Sequence, residues 1–313
     1  MWKGKHLMSS KYLDKKTLNG NPPAGMFEAS SRNPFQNASI FYIPYCSSDA
    51  WTGSSRDDSA SRFVYRGHDI VRAVLAEIRT QVGNTFRNLL VTGTSAGGLG
   101  TVLNTDLAAG MFPETRVLGI PDAGWFLDVN PAGPCQMSSP AMWDCTEESG
   151  KVIALRAQFE AGFTMWNAVT AMPLPCRSRT DAWRCLFAAE AAPHIKSRLY
   201  VLQSLTDSWQ LQWNGGLPDT SRPPAIAREL RTKTTAEMHR LSKALPVTGY
   251  GIFSPTCWMH GSAGSDSFFD VRLPDGASPA SALSAAVFRN EWTAHISDER
   301  GWNVTRGCPA HPD

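Results

Sequence analysis

The sequence has no run approaching the roughly 18 consecutive apolar residues that a membrane span requires. Its opening Met1-Trp2-Lys3-Gly4-Lys5-His6 lacks the apolar stretch of a signal peptide. Nor is there a basic run long enough to follow a phosphate backbone: 30 Lys and Arg stand against 28 Asp and Glu, a net charge of +2, so nucleic acid is not an expected partner. The seven cysteines (46, 135, 145, 176, 185, 257 and 308) include no closely spaced C-x-x-C pair, which argues against a structural zinc site. Internal repeats and low-complexity tracts are also missing, and no metal or organic cofactor is implied.

The missing leader, taken alone, reads as cytosolic. Seven cysteines read the other way, because disulfides persist in oxidising compartments, and the sequons Asn37-Ala38-Ser39 and Asn303-Val304-Thr305 suit a secreted glycoprotein. An odd count leaves one thiol unpaired.

What remains is a chain of 313 residues, 42% hydrophobic, long enough for one large α/β domain or for two small ones, of which one domain spanning residues 1–313 is the simpler reading. Residues 1–36 are polar and broken by Asn-Gly and Asn-Pro steps, an irregular segment. Phe41-Tyr42-Ile43-Pro44-Tyr45 has the aromatic and β-branched profile of a strand whose proline marks its end or an edge position. Between Arg66 and Val82, Ile70, Val71, Val74, Leu75 and Ile78 recur at three- and four-residue spacing and predict a helix. A strand at Leu89-Leu90-Val91, a glycine-rich turn and a helix over Leu99 to Ala109 follow. Further strands are expected at Val117 to Ile120 and Leu199 to Leu205, and a helix at Pro223 to Leu245. This alternation is the grammar of a mostly parallel sheet between helices. Residues 130–195, with four cysteines and three tryptophans, read as a cap or insertion stapled by disulfides.

Gly93-Thr94-Ser95-Ala96-Gly97 matches G-x-S-x-G directly after a strand and directly before a helix, where the pattern lifts a serine hydroxyl out of a sheet. Ser95 is therefore the candidate nucleophile, and the N–H of Ala96 a candidate oxyanion donor. A nucleophilic serine needs a base, and the base an orienting acid, which in this arrangement follow in the order Ser, Asp or Glu, His. Asp207 comes just after the strand ending at Leu205; Asp122 and Asp128 compete for the acid. Among His239, His260, His295 and His311, His260 is best placed, because a disulfide at Cys257 and a glycine at 261 would fix its loop; His295 is the reserve.

These residues combine into a longer pattern. Ile43-Pro44-Tyr45-Cys46-Ser47-Ser48-Asp49, Gly93-Thr94-Ser95-Ala96-Gly97-Gly98, Asp122-Ala123-Gly124-Trp125-Phe126-Leu127-Asp128, Arg184-Cys185-Leu186-Phe187, Gln203-Ser204-Leu205-Thr206-Asp207-Ser208-Trp209-Gln210-Leu211 and Cys257-Trp258-Met259-His260 resemble, in the same order, the pectin acetylesterase and Notum family. The resemblance implies a three-layer α/β-hydrolase fold, an Ser95, Asp207 and His260 triad, and an acylated polysaccharide or acylated protein as substrate. It implies a Gly-Gly-Trp segment with further oxyanion donors upstream, and a cysteine there that pairs with the one matching Cys46. Neither is found in this sequence, so the chain is expected to be an amino-terminally truncated form of a secreted parent and a weak enzyme as written. A catalytically impaired family member that serves as a glycan- or protein-binding module is the competing expectation. Phe126 and Phe187 match pocket-lining aromatics, whereas Trp209 and Trp213 stand where the resemblance implies smaller residues. Two indoles would fill part of a pocket built for a long acyl chain, which points to a shorter acyl group such as acetyl.

Overall fold

The computed structural model describes residues 24–55, 64–83, 86–129, 155–211, 225–298 and 303–309, together with the backbone of three short strands between 135 and 152. A five-stranded sheet organises the fold, in the order β1 (Asn88–Thr94), β2 (Arg116–Asp122), β6 (Arg198–Leu202), β8 (Gly251–Ser254) and β10 (Ala294–Ile296). Every pairing in it is parallel. The three short strands β3 (Cys135–Ser139), β4 (Met142–Cys145) and β5 (Lys151–Val152) form a separate antiparallel sheet in the insertion.

Period-two alternation explains the three layers. Val117, Leu199, Val201 and Ile252 turn to one face, where they meet helices α1 (Gly67–Val82), α2 (Ala96–Met111), α3 (Leu155–Met165) and α4 (Ala225–Thr248). Leu118, Ile120, Tyr200, Leu202 and Phe253 turn to the other, against Phe268, Phe269 and α5 (Pro279–Ser284). Both faces are buried, as parallel strands require. The expected helices are present, each slightly longer or shifted by a residue or two, and the stripe of Val71, Leu75 and Ile78 on α1 is buried as its spacing predicts. In the insertion, Cys176 and Cys185 form a disulfide between two short helical turns.

Two expectations are corrected. Phe41 to Tyr45 forms no strand and joins no ladder among the described residues; Phe41 and Tyr42 are exposed, and Pro44 offers no N–H to a neighbour. The strand over 199–205 ends at Leu202, because the chain turns there and begins a second, two-residue ladder. Among the described residues no helix is long and apolar enough to cross a membrane.

Candidate active site

Ser95 sits between the last residue of β1 and the first of α2 with φ 62° and ψ −123°. A non-glycine residue in that region is strained by about 1–3 kcal/mol, so the surroundings must hold it. They do so by bonding Ser95 N–H to the Asp122 carbonyl at 2.9 Å and the Leu99 N–H to the Ser95 carbonyl at 3.1 Å. Gly93 permits the turn, since a Cβ there would lie 2.7 Å from the Gly97 backbone. Ala96 is the first residue of a 16-residue helix, so its N–H has no intrahelical acceptor and lies at the positive end of the helix dipole. That is where an oxyanion formed at Ser95 would be met.

Asp207 and His260 are brought together by the second ladder. β7 (Thr206–Asp207) pairs in parallel with β9 (Trp258–Met259), with Asp207 opposite Met259, so His260 follows immediately after the acid's partner. His260 Nδ1 lies 3.0 Å from both Asp207 carboxylate oxygens. The His260 Nε2 atom is buried with no hydrogen-bond partner among the described residues, and Gly261 next to it abuts Thr94, the neighbour of Ser95. Burial of the imidazole works against its charged form, but the anions of Asp207 and Asp122 outweigh it and raise the pKa above the ordinary 6.5.

Cys257 and Cys308 form the disulfide expected beside this loop, tying β9 to the carboxyl-terminal segment across a separation of 51 residues. Asn303 reinforces it by accepting the Trp258 N–H at 2.9 Å and donating to the Pro309 carbonyl at 3.0 Å. A cross-link over that span stabilises by about 2–4 kcal/mol. Cys308→Ser is expected to lower the unfolding free energy by that amount, read from the shift of the urea midpoint at unchanged slope. Cys46 is free.

The remaining candidates go elsewhere. Asp122 is fully buried and binds the Gly261–Ala263 loop rather than the imidazole. Asp128 pairs with Arg156 at 2.8 Å and Arg184 at 3.4 Å. His295 binds Asp275 at 2.7 Å and Thr293 at 2.7 Å on β10, with Thr293 at the opposite end of β8 from the His260 loop. His239 is exposed on α4, and His311 lies outside the described residues.

Around the imidazole, the Trp209 ring stacks on His260 at 5.8 Å and 27° and meets Phe126 edge-on at 5.4 Å. Phe187 is fully buried against Phe159 and Trp183. Trp213 lies outside the described residues.

Sequence reasoning missed two glutamines. Gln203 donates to Asp207 Oδ2 at 3.0 Å and accepts the Trp125 N–H at 3.1 Å. Gln210 donates its N–H to Asp207 Oδ1 at 2.9 Å, and its side chain accepts the Leu127 N–H at 3.0 Å. The signal available was two amide side chains, four residues before and three after the candidate acid.

A parallel α/β sheet with a serine on a strained strand-to-helix turn, and an Asp–His pair just beyond the strands at the same carboxyl edge, defines the α/β-hydrolase class. The pectinacetylesterase family model matches residues 2–308, and the chain belongs to that family. It is similar to the palmitoleoyl-protein carboxylesterase NOTUM of Homo sapiens, 27% identical over 89% of this chain and 54% of the relative. It is also similar to notum1a of Danio rerio, 28% identical over 97% and 58%. The chain thus spans just over half the length of these curated relatives. The solved structure of the Wnt deacylase Notum from Drosophila superposes with a TM-score of 0.77 at 26% identity, covering 97% of this chain and 83% of that one.

Proposed function

We propose that the chain is a serine carboxylic ester hydrolase working through Ser95, His260 and Asp207. The observation that carries this reading is the strained main chain of Ser95, held within a residue of the loop that bears an Asp-paired imidazole with an unoccupied, buried Nε2. In the proposed reaction, Nε2 takes the Ser95 Oγ proton as Oγ attacks the ester carbonyl, and Asp207 holds the other ring nitrogen protonated and stabilises the imidazolium. The Ala96 N–H meets the oxyanion. Collapse expels the alcohol with the proton from His260; water, activated by the same imidazole, then releases the carboxylic acid and regenerates Ser95.

This reading takes residues 1–313 as one hydrolase domain capped by residues 130–195, in a protein of an oxidising, extracellular compartment. The two disulfides of the described residues support that setting. The substrate is an O-acyl ester on a polysaccharide or a protein, the two classes that the names of the family and of its relatives indicate.

Trp209 argues for an acyl group shorter than palmitoleate, since its indole occupies the space beside the imidazole and against Phe126. A p-nitrophenyl ester series tests both parts. Acetate or butyrate is expected to give the highest kcat/KM, whereas a maximum on C8 to C16 esters contradicts the short-acyl reading. Trp209→Ala is expected to move the optimum toward longer chains and to raise kcat/KM on the C8 ester by about 200-fold, from roughly 0.8 kcal/mol for each of four newly buried methylenes.

The base works as neutral imidazole, so activity rises as pH passes through its titration. Because the pKa of His260 is raised, the lower limb of the kcat/KM profile on p-nitrophenyl acetate is expected to have its midpoint above 6.5. A midpoint below that value would show that the two anions do not dominate.

A further inference from the structure

Asp122 is a carboxylate with 1% of its surface exposed, at the end of β2, with no Lys or Arg paired to it among the described residues. Its oxygens instead gather donors from two different parts of the chain. Oδ2 accepts the Thr94 hydroxyl at 2.8 Å and the Ala263 N–H at 3.1 Å. The Ser262 N–H reaches Oδ1 at 2.9 Å and Oδ2 at 3.0 Å, and the Ser262 hydroxyl reaches Oδ1 at 3.3 Å. The main-chain carbonyl of Asp122 accepts the Ser95 N–H. Between the two groups lies Gly261 at φ 90°, where a Cβ would stand 2.5 Å from Thr94 and 2.9 Å from the Asp122 carboxylate.

We propose that Asp122 is a positioning residue that locks the His260 loop in register with the Ser95 turn; the inference rests on the ester-hydrolase reading above. Asp207 fixes the rotation of the imidazole from behind, through Nδ1. It does not fix the distance from the imidazole to the serine, because β7 and β9 form a ladder of their own, outside the sheet that carries Ser95. Asp122 supplies that second constraint: one carboxylate binds the residue before the serine and the two residues after Gly261. Its charge also acts on the imidazole, since the charged groups that act on His260 are Asp207 and Asp122.

Asp122→Asn is the informative variant. An amide keeps the size, but either orientation sets its NH2 against a backbone N–H of Ser262 or Ala263, and the anion is gone. The fluorophosphonate labelling rate of Ser95 is expected to fall about 100-fold and kcat on p-nitrophenyl acetate in parallel, with KM changed less than threefold. The His260 titration, followed by NMR of ring-labelled histidine, is expected to move to lower pH. Unchanged labelling and an unchanged titration in a folded variant would overturn the proposal. If Asp122→Asn does not fold, Thr94→Val decides, since it removes the tie to the serine strand while leaving the carboxylate; a labelling rate reduced at least about fivefold is expected, and an unchanged rate overturns it. The titration needs no substrate, so a wild-type chain that cleaves no ester would end the hydrolase reading, while the movement of the His260 titration would still decide the role of Asp122.

Discussion

Replacement of Ser95 by alanine is expected to reduce ester hydrolysis on the order of 10⁵-fold, the scale on which serine hydrolases respond to loss of the nucleophile. The size of the effect follows from the role proposed for the residue. Without Oγ no acyl-enzyme forms, and water must attack the ester directly, aided only by binding and by the Ala96 N–H. The substitution removes one oxygen at a half-buried position, and alanine must still adopt φ 62°, so stability should change by less than about 1–2 kcal/mol. A folded variant with turnover within tenfold of the wild type would exclude Ser95 as the nucleophile.

Asp207→Asn is expected to lower kcat by about 10⁴-fold, as when the acid of a serine triad is replaced. The mechanism is specific to the network. Asp207 accepts from His260 Nδ1, the Gln203 side chain and the Gln210 N–H, all three of them donors. An amide at this site must point its NH2 at one of them. Turning it toward Nδ1 makes that nitrogen accept, which places the proton on Nε2 and leaves no base for Ser95. Because the carboxylate is 3% exposed, water cannot repair the mismatch, and some loss of stability should accompany the loss of rate. A kcat reduced less than about tenfold would mean that the imidazole is oriented by something else.

Much of this site was legible in the sequence because its parts are local. The G-x-S-x-G turn, the strand before it and the helix after it lie within 30 consecutive residues, and their spacing alone fixes the geometry. The pairing of Asp207 with His260 was secured by the family resemblance, because the loop context at Cys257 and Gly261 only ranked His260 above His295, which has an Asp partner of its own. What stayed hidden is non-local. Nothing in the sequence reveals that β7 and β9 align Asp207 opposite Met259, that Gln203 and Gln210 converge on the acid from both sides, or that Asp122 reaches across to residues 262 and 263. Asp122 stood in the sequence, with Asp128, as a rival for the acid. Its buried backbone donors, which no pattern displays, give it a different place. Phe41 to Tyr45 failed as a strand for a similar reason, since a strand's profile says nothing about whether a neighbour is available to pair with it.

The central claim, that Ser95 is an activated nucleophile, is tested most directly by intact-protein mass spectrometry after exposure to a fluorophosphonate probe. A single added probe mass is expected on the wild-type chain, none on Ser95→Ala, and slower labelling of Asp207→Asn. A folded wild-type chain that acquires no label, or a Ser95→Ala variant that is labelled as readily as the wild type, would contradict it, and the first of these results would favour a glycan- or protein-binding role for the same scaffold.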